Sequence, residues 1–221
     1  MKRHMCVLAL ALAVAISGSE SAQAQIGGFS LPGTKKPAAA GAVDPDTYLK
    51  NARDAEGLMS TSLDQMSSVV LAKEQMANIE ALKKQAAETT DPKEKEALQQ
   101  QVASSEAADL NQVDYDKYAS DQEQKLSAQQ KQNLAASSFN FLLAVLKDQQ
   151  LSGQSKGVMD SLSGNPTALS KLGAVKDSAA SIGSQLQMSS SLAGKMPKVF
   201  SAVGVKDVPK VSDAPKPVSG D

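Results

Sequence analysis

The stretch SSFNFLLAVLKDQQ, Ser137 to Gln150, decides how the chain is read. It holds Phe139 and Phe141, two of the four phenylalanines. Leu142, Leu143 and Leu146 follow Phe139 at 3, 4 and 7 residues, which puts all four on one helix face. Phe141 and Val145 lie on the neighbouring face, so the helix is apolar around most of its circumference for two turns. A run from Phe139 to Leu146 rises only about 12 Å, against a hydrocarbon core of roughly 30 Å, and cannot span a bilayer. It is therefore a packing centre or a partner interface made by Phe139, Phe141, Leu142, Leu143, Val145 and Leu146. The chain has few other large apolar side chains, and a bundle of this length needs a centre. The run is expected to be that centre, packed against Leu58–Val70 and Leu169–Ile182.

Toward the C-terminus, Ser152–Gly164 carries Gly153, Gly157 and Gly164 and reads as a loop, with Met159 and Leu162 turned inward. Asn165-Pro166 is a cap followed by a first-turn proline. A third helix then runs to about Met196. Leu172, Val175, Ala179, Ile182, Leu186, Ser189, Ala193 and Met196 recur at 3-4-3-4-3-4-3 spacing, a coiled-coil-like seam rich in small residues. Lys176, Ser181 and Gln185 are expected on the opposite face. Pro197 should end the helix, leaving Val199, Phe200 and Val203 for one last packed turn. Residues 205–221 are rich in proline and polar side chains and are expected to be a disordered tail.

Toward the N-terminus, Gln129–Asn133 is polar all round, as in a helix that meets solvent on every side. The helical pattern from Pro92 to about Leu151 would be about 90 Å long if unbroken, so a bend is expected near Leu110–Tyr115. Leu98, Val102, Leu110, Val113, Tyr118 and Leu126 mark its apolar side. Thr90-Asp91-Pro92 is a stop and restart, with Asp91 as cap, Pro92 in the first turn and Glu94 at the capping-box position. So short a connection predicts an antiparallel helical hairpin. The preceding helix opens at Asp44-Pro45-Asp46 and is expected to reach Glu88. Its stripe is Met59, Leu63, Met66 and Val70, continued by Met76, Ile79 and Leu82, and Gly57 is its weak point.

The fold class is all-α: an elongated helical bundle, residues 45–204, built on an antiparallel hairpin plus a third long helix. Residues 25–44 form a flexible leader of Gly, Pro and Ala. Residues 1–24 have the plan of a secretory signal. Lys2 and Arg3 precede an apolar stretch from Cys6 to Ile16, and Ala22-Gln23-Ala24 is a small-x-small cleavage pattern. Cleavage after Ala24 would place the mature chain in a periplasm or outside the cell, with no transmembrane anchor left. The absence of an Asn-x-Ser/Thr acceptor, since Asn165-Pro166-Thr167 carries the forbidden proline, and of any disulfide favours a bacterial envelope.

Cleavage also strips chemistry. The single Cys (Cys6) and the single His (His4) leave with the signal. Residues 25–221 then have neither a Ser-His nor a Cys-His nucleophile pair, nor the donors of a zinc or haem site. No S-x-x-K, G-x-x-x-x-G-K-S/T or G-x-G-x-x-G motif occurs. Removing Lys2, Arg3 and Glu20 from 23 basic and 24 acidic residues leaves 21 and 23, a net charge of −2 with Arg53 as the one arginine. That is not the basic, arginine-rich, aromatic face of a nucleic-acid binder. Asp114, Asp116 and Asp121 cluster in VDYDKYASD, but Tyr118 occupies a ligand position of a calcium loop and no glycine follows. Met59, Met66 and Met76 have thioethers suited to copper(I) at a spacing that equally suits core knobs. No cofactor or metal site is assigned. Gly57-Leu58-Met59 resembles the Gly-Leu-Met step of lytic transglycosylases. That family's upstream Glu-Ser occurs here only as Glu20-Ser21, inside the signal, and Ser60 replaces its following Gln.

The export signal, the helices from Pro45 and Pro92 and the Phe139–Leu146 knot make the chain similar in general plan to two groups. One is the long-helix minor pilus subunits of type IV secretion systems, and the other is the prong-like periplasmic chaperones. The first resemblance implies assembly through helix packing, the second the holding of clients. Those chaperones are basic, and this chain departs from them. The expected function is an exported, non-enzymatic helical protein working through protein partners of the envelope, with homo-oligomers as one form of contact. A chaperone-like holdase and a cell-wall hydrolase are the alternatives.

Overall fold

The computed structural model describes residues 43–122, 125–164, 166–205 and Pro217. The signal, the leader up to Ala42 and all of the tail except Val205 and Pro217 lie outside them. Seven α-helices pack on one another, with no strand among the described residues. They are α1 (Pro45–Val70), α2 (Lys73–Glu88), α3 (Pro92–Gln112), α4 (Tyr115–Gln122), α5 (Ala128–Ser163), α6 (Leu172–Ala193) and α7 (Met196–Ala202), with a 3-10 turn at Pro166–Lys171 before α6. The all-α bundle expected from periodicity is what forms.

The caps account for most of the boundaries. Asp44 Oδ2 accepts from the Thr47 amide at 3.0 Å, and Asp91 Oδ1 from the Lys93 and Glu94 amides at 2.9 Å. Asp114 opens α4 in the same way, its Oδ1 accepting from the Asp116 and Lys117 amides. Ser127 and Gln130 close a reciprocal capping box at the start of α5 (Gln130 N to Ser127 Oγ 3.1 Å, Ser127 N to Gln130 Oε1 3.0 Å). The polar Gln129–Asn133 segment is thus the first turn and a half of α5. The bend anticipated near Leu110–Tyr115 falls at Val113, which is extended.

Four expectations are corrected. The helix opened by Asp44 stops at Val70, because Leu71 and Ala72 are extended, and α2 turns away to pair with α3. The signals are weak: Ser68 Oγ turns back on the Gln65 carbonyl (2.8 Å), Tyr118 Oη donates to the Val69 carbonyl (3.2 Å), and Gln75 Oε1 accepts from the Ala72 amide (3.2 Å). Ser152–Gly164 is not a loop: α5 runs on to Ser163, since Leu151, Val158 and Leu162 are buried and hold Gly153 and Gly157 in helix. Pro197 does not end a helix. The chain breaks at Gly194–Lys195, and Pro197 sits in the first turn of α7, where its missing N–H costs nothing. Gln185 is not on the outer face of α6 but buried.

Two apolar cores share α1, α5 and α6. The first joins Met59, Leu63 and Met66 of α1, Phe139 to Val145 of α5, Leu192 and Ala193 of α6, and Met196, Val199 and Phe200 of α7. The second joins Tyr48, Ala52 and Ala55 of α1, Leu151, Val158 and Leu162 of α5, and Val175 and Ile182 of α6. α1 and α6 therefore run from the second core to the first, and α5 runs the opposite way between them. The last packed turn expected at Val199, Phe200 and Val203 is buried in the first core. α2 and α3 form a two-helix hairpin, with Ile79, Ala86, Leu98 and Val102 buried, and α3 enters the first core through Ala107 and Leu110.

Candidate functional site

The six residues singled out in the opening stretch go inside. Phe139, Phe141, Leu142, Leu143 and Val145 are buried in the first core, and Leu146 packs against it half-buried. Their partners on α1 lie within the expected Leu58–Val70. Their C-terminal partners are Leu192–Val203 and not Leu169–Ile182: Val175 and Ile182 belong to the second core, and Leu169 is exposed.

The other sequence candidates do not converge. Asp114 is a helix cap, Asp116 pairs with Lys198, and Asp121 is exposed. Met59 and Met66 are in the first core and Met76 is outside it on α2; Met66 Sδ takes a 3.4 Å contact from Ser138 Oγ. Among the described residues no three His, Cys, Asp or Glu side chains are gathered as a metal site, and no helix is long and apolar enough to cross a membrane.

What periodicity missed lies between the two cores. In each of the three shared helices a polar residue marks the boundary: Glu56 after Ala55 in α1, Asp148 before Leu151 in α5, and Gln185 after Ile182 in α6. Asp148 is 0% exposed, and neither carboxylate oxygen has a hydrogen-bond donor. Burial, and then the charge of Glu56, push its carboxyl up to about 7. Burial raises Glu56 too, and the nearby Glu96 carboxylate adds to the shift. Tyr48, at the α1 end of this belt, has a buried hydroxyl without a partner, and burial together with the Asp148 charge raises it. The signal was available: Phe141, Val145 and Asp148 recur at 4-3 spacing, so a carboxylate stands on the face of the apolar knot.

Two members of the belt reach the surface in a cleft of about 330 Å³ between α1, α3 and α6. Arg53, Glu56, Gly57 and Ser60 line it from α1, Gln99, Gln100 and Ser104 from α3, and Ser181, Ser184 and Gln185 from α6, over Met59, Ala103 and Met188. Ser181 Oγ ties the wall together, accepting from Gln100 Nε2 at 3.4 Å and from Gln185 Nε2 at 3.3 Å. With its nitrogen so engaged, Gln185 keeps Oε1 as a buried acceptor with no donor. Arg53 and Glu56 share one lip of the cleft and form no ion pair.

A second charged cluster is structural. Lys83 of α2 pairs with Asp64 of α1 and, at 2.8 Å, with the fully buried Glu106 of α3, joining the hairpin to the bundle. Burial raises the Glu106 carboxyl, and Lys83 pulls it back.

No protein family, curated protein or solved structure matches the chain.

Proposed function

We propose that the protein is an exported, non-enzymatic helical component of a bacterial envelope that works by protein–protein contact, as an assembly or secretion-system subunit. The export pattern of residues 1–24 and the loss of Cys and His on cleavage support this reading from the sequence. The observation that carries it is the cleft across α1, α3 and α6. Its floor of methionine and alanine under a rim of glutamine and serine is the mixture that takes a partner segment: adaptable thioether contact below, amide and hydroxyl hydrogen bonds at the edge.

The experiment is site-specific photo-cross-linking in the cell that makes the protein. The cross-linker is placed at Gln100 or Ser184 on the rim and, as control, at Lys156 on the exposed face of α5. One stoichiometric adduct from the rim positions and none from Lys156 is expected. An adduct the size of two copies would make the partner a second chain of the same kind. A smear of outer-membrane clients would replace the reading with a holdase. Equal labelling from rim and control, or clearing of a cell-wall gel by purified residues 25–221, would overturn it.

A further inference from the structure

We propose that the inner end of the α1–α3–α6 cleft is a binding site for a primary ammonium group on an aliphatic stem, held by the Glu56 carboxylate and the Gln185 amide oxygen. The argument is an imbalance of donors and acceptors. Gln185 is 9% exposed, its Nε2 is spent on Ser181, and its Oε1 has no donor. Among the described residues Glu56 forms no ion pair, and the Glu96 carboxylate that acts on it is of its own sign. Of the two buried hydroxyls without a partner among the described residues, Tyr48 Oη lies in the second core and Ser67 Oγ near the far end of α1, and neither lines the cleft. Buried polar groups in a folded protein are nearly always satisfied, so a cleft wall with an unmet buried amide oxygen beside an unpaired carboxylate lacks a donor.

The chemistry of that donor follows. An anion would meet Glu56. A calcium ion is held by several carboxylate and carbonyl oxygens together, and the cleft offers one carboxylate and one buried amide oxygen. An ammonium brings three N–H donors and one positive charge in a compact head. Arg53 does not block it, because Arg53 is on the exposed lip while Gln185 is the buried member of the wall. Ala103 and Met188 give the stem an apolar bed, and about 330 Å³ is within the range of small-ligand clefts. The same ammonium comes as a free diamine or as the lysine side chain of a protein.

The test is titration of the folded protein, followed by NMR on the Gln185 side-chain amide and on backbone amides of 53–60 and 181–188. Three probes are used: cadaverine, Nα-acetyl-lysine methylamide, and the same lysine derivative acetylated at Nε, which has the stem without the charge. Saturable shifts are expected with at least one charged probe and none with the neutral one. Binding to both charged probes, or to cadaverine alone, assigns a free amine. Binding to the lysine derivative alone assigns a protein side chain. Glu56→Gln and Gln185→Leu are each expected to weaken binding at least tenfold while melting cooperatively. The inference is overturned if the neutral probe shifts the same resonances, if no charged probe saturates, or if both variants bind like wild type. It goes beyond the proposal of a protein partner and fails separately from it. Ammonium binding without a cross-linked partner would remove the first and keep the second, and a cross-linked partner without ammonium binding would do the reverse.

Discussion

Asp148 is the residue on which the interior turns. A carboxyl raised from 3.8 to about 7 holds its proton in the folded chain and loses it in the unfolded one across that interval. The folded state then binds more protons, so the contribution of this group to stability is full below pH 4 and is lost as pH rises through 7. Glu56 and Glu106, also raised, act in the same direction. The melting temperature is therefore expected to fall between pH 5 and pH 8, and Asp148→Asn should flatten that slope. At pH 8 the variant should be more stable by about 1–3 kcal/mol, below the roughly 4 kcal/mol that the full shift would imply. A wild-type melting temperature that holds or rises over this range would refute the account. Phe141, fully buried in the first core, should be the opposite case. Phe141→Asp removes a large apolar group and buries a charge, and is expected to cost more than about 4 kcal/mol. A melt like wild type would place the side chain at the surface. The apolar half of this interior was legible, because Phe139 to Leu146 is a long run in a chain with few others. The polar half was not: an aspartate in KDQQ reads as the solvated end of a helix unless its spacing from Val145 is counted.

The elements show where local signals decide and where they are overruled. Asp44 and Asp91 carry caps that the sequence announces, and both helices begin there. The α1–α2 break carries neither glycine nor proline, and depends on what Tyr118 and Gln75 do from outside the segment. Such a boundary exists only once the tertiary partners are in place. Gly153 and Gly157 mislead in the other direction, since buried Leu151, Val158 and Leu162 keep α5 helical through them. If burial and not backbone preference holds these helices, exposed mid-helix glycines are stability left unclaimed. A β-carbon at Gly157 or Gly183 would meet nothing within 4 Å. Gly157→Ala and Gly183→Ala are each expected to stabilise by about 0.5–1 kcal/mol in urea unfolding, additively because one lies on α5 and the other on α6. Loss of stability at either would mean that the helix is strained there.

At the scale of the molecule, the hairpin of α2 and α3 holds one buried charge, Glu106 of α3, whose counter-ion is Lys83 of α2. Lys83→Met leaves Glu106 buried without a counter-ion and is expected to cost about 3–5 kcal/mol in chemical denaturation, whereas Lys83→Met with Glu106→Met should recover most of it. Recovery by the double variant separates a lost ion pair from a stranded charge; a single variant that unfolds like wild type would show that Glu106 finds water instead. The hairpin was legible, since the short Thr90-Asp91-Pro92 connection predicts it and α2 and α3 do pair. The Lys83–Glu106 pair was not, because periodicity places each residue on a helix without fixing the register at which the two helices meet.

The polar belt between the two cores has one more consequence. Each of α1, α5 and α6 carries apolar residues of both cores along its length, and a slide of one heptad, about 10 Å, would still set many apolar side chains against apolar ones. Such a slide of α5 would carry Asp148 against the Met59, Leu63 and Met66 stripe or the Tyr48, Ala52 and Ala55 stripe of α1, where a carboxyl without company costs several kcal/mol. Glu56, Asp148 and Gln185 thus act as the notch of a key, giving three greasy rods a single alignment at the expense of some stability.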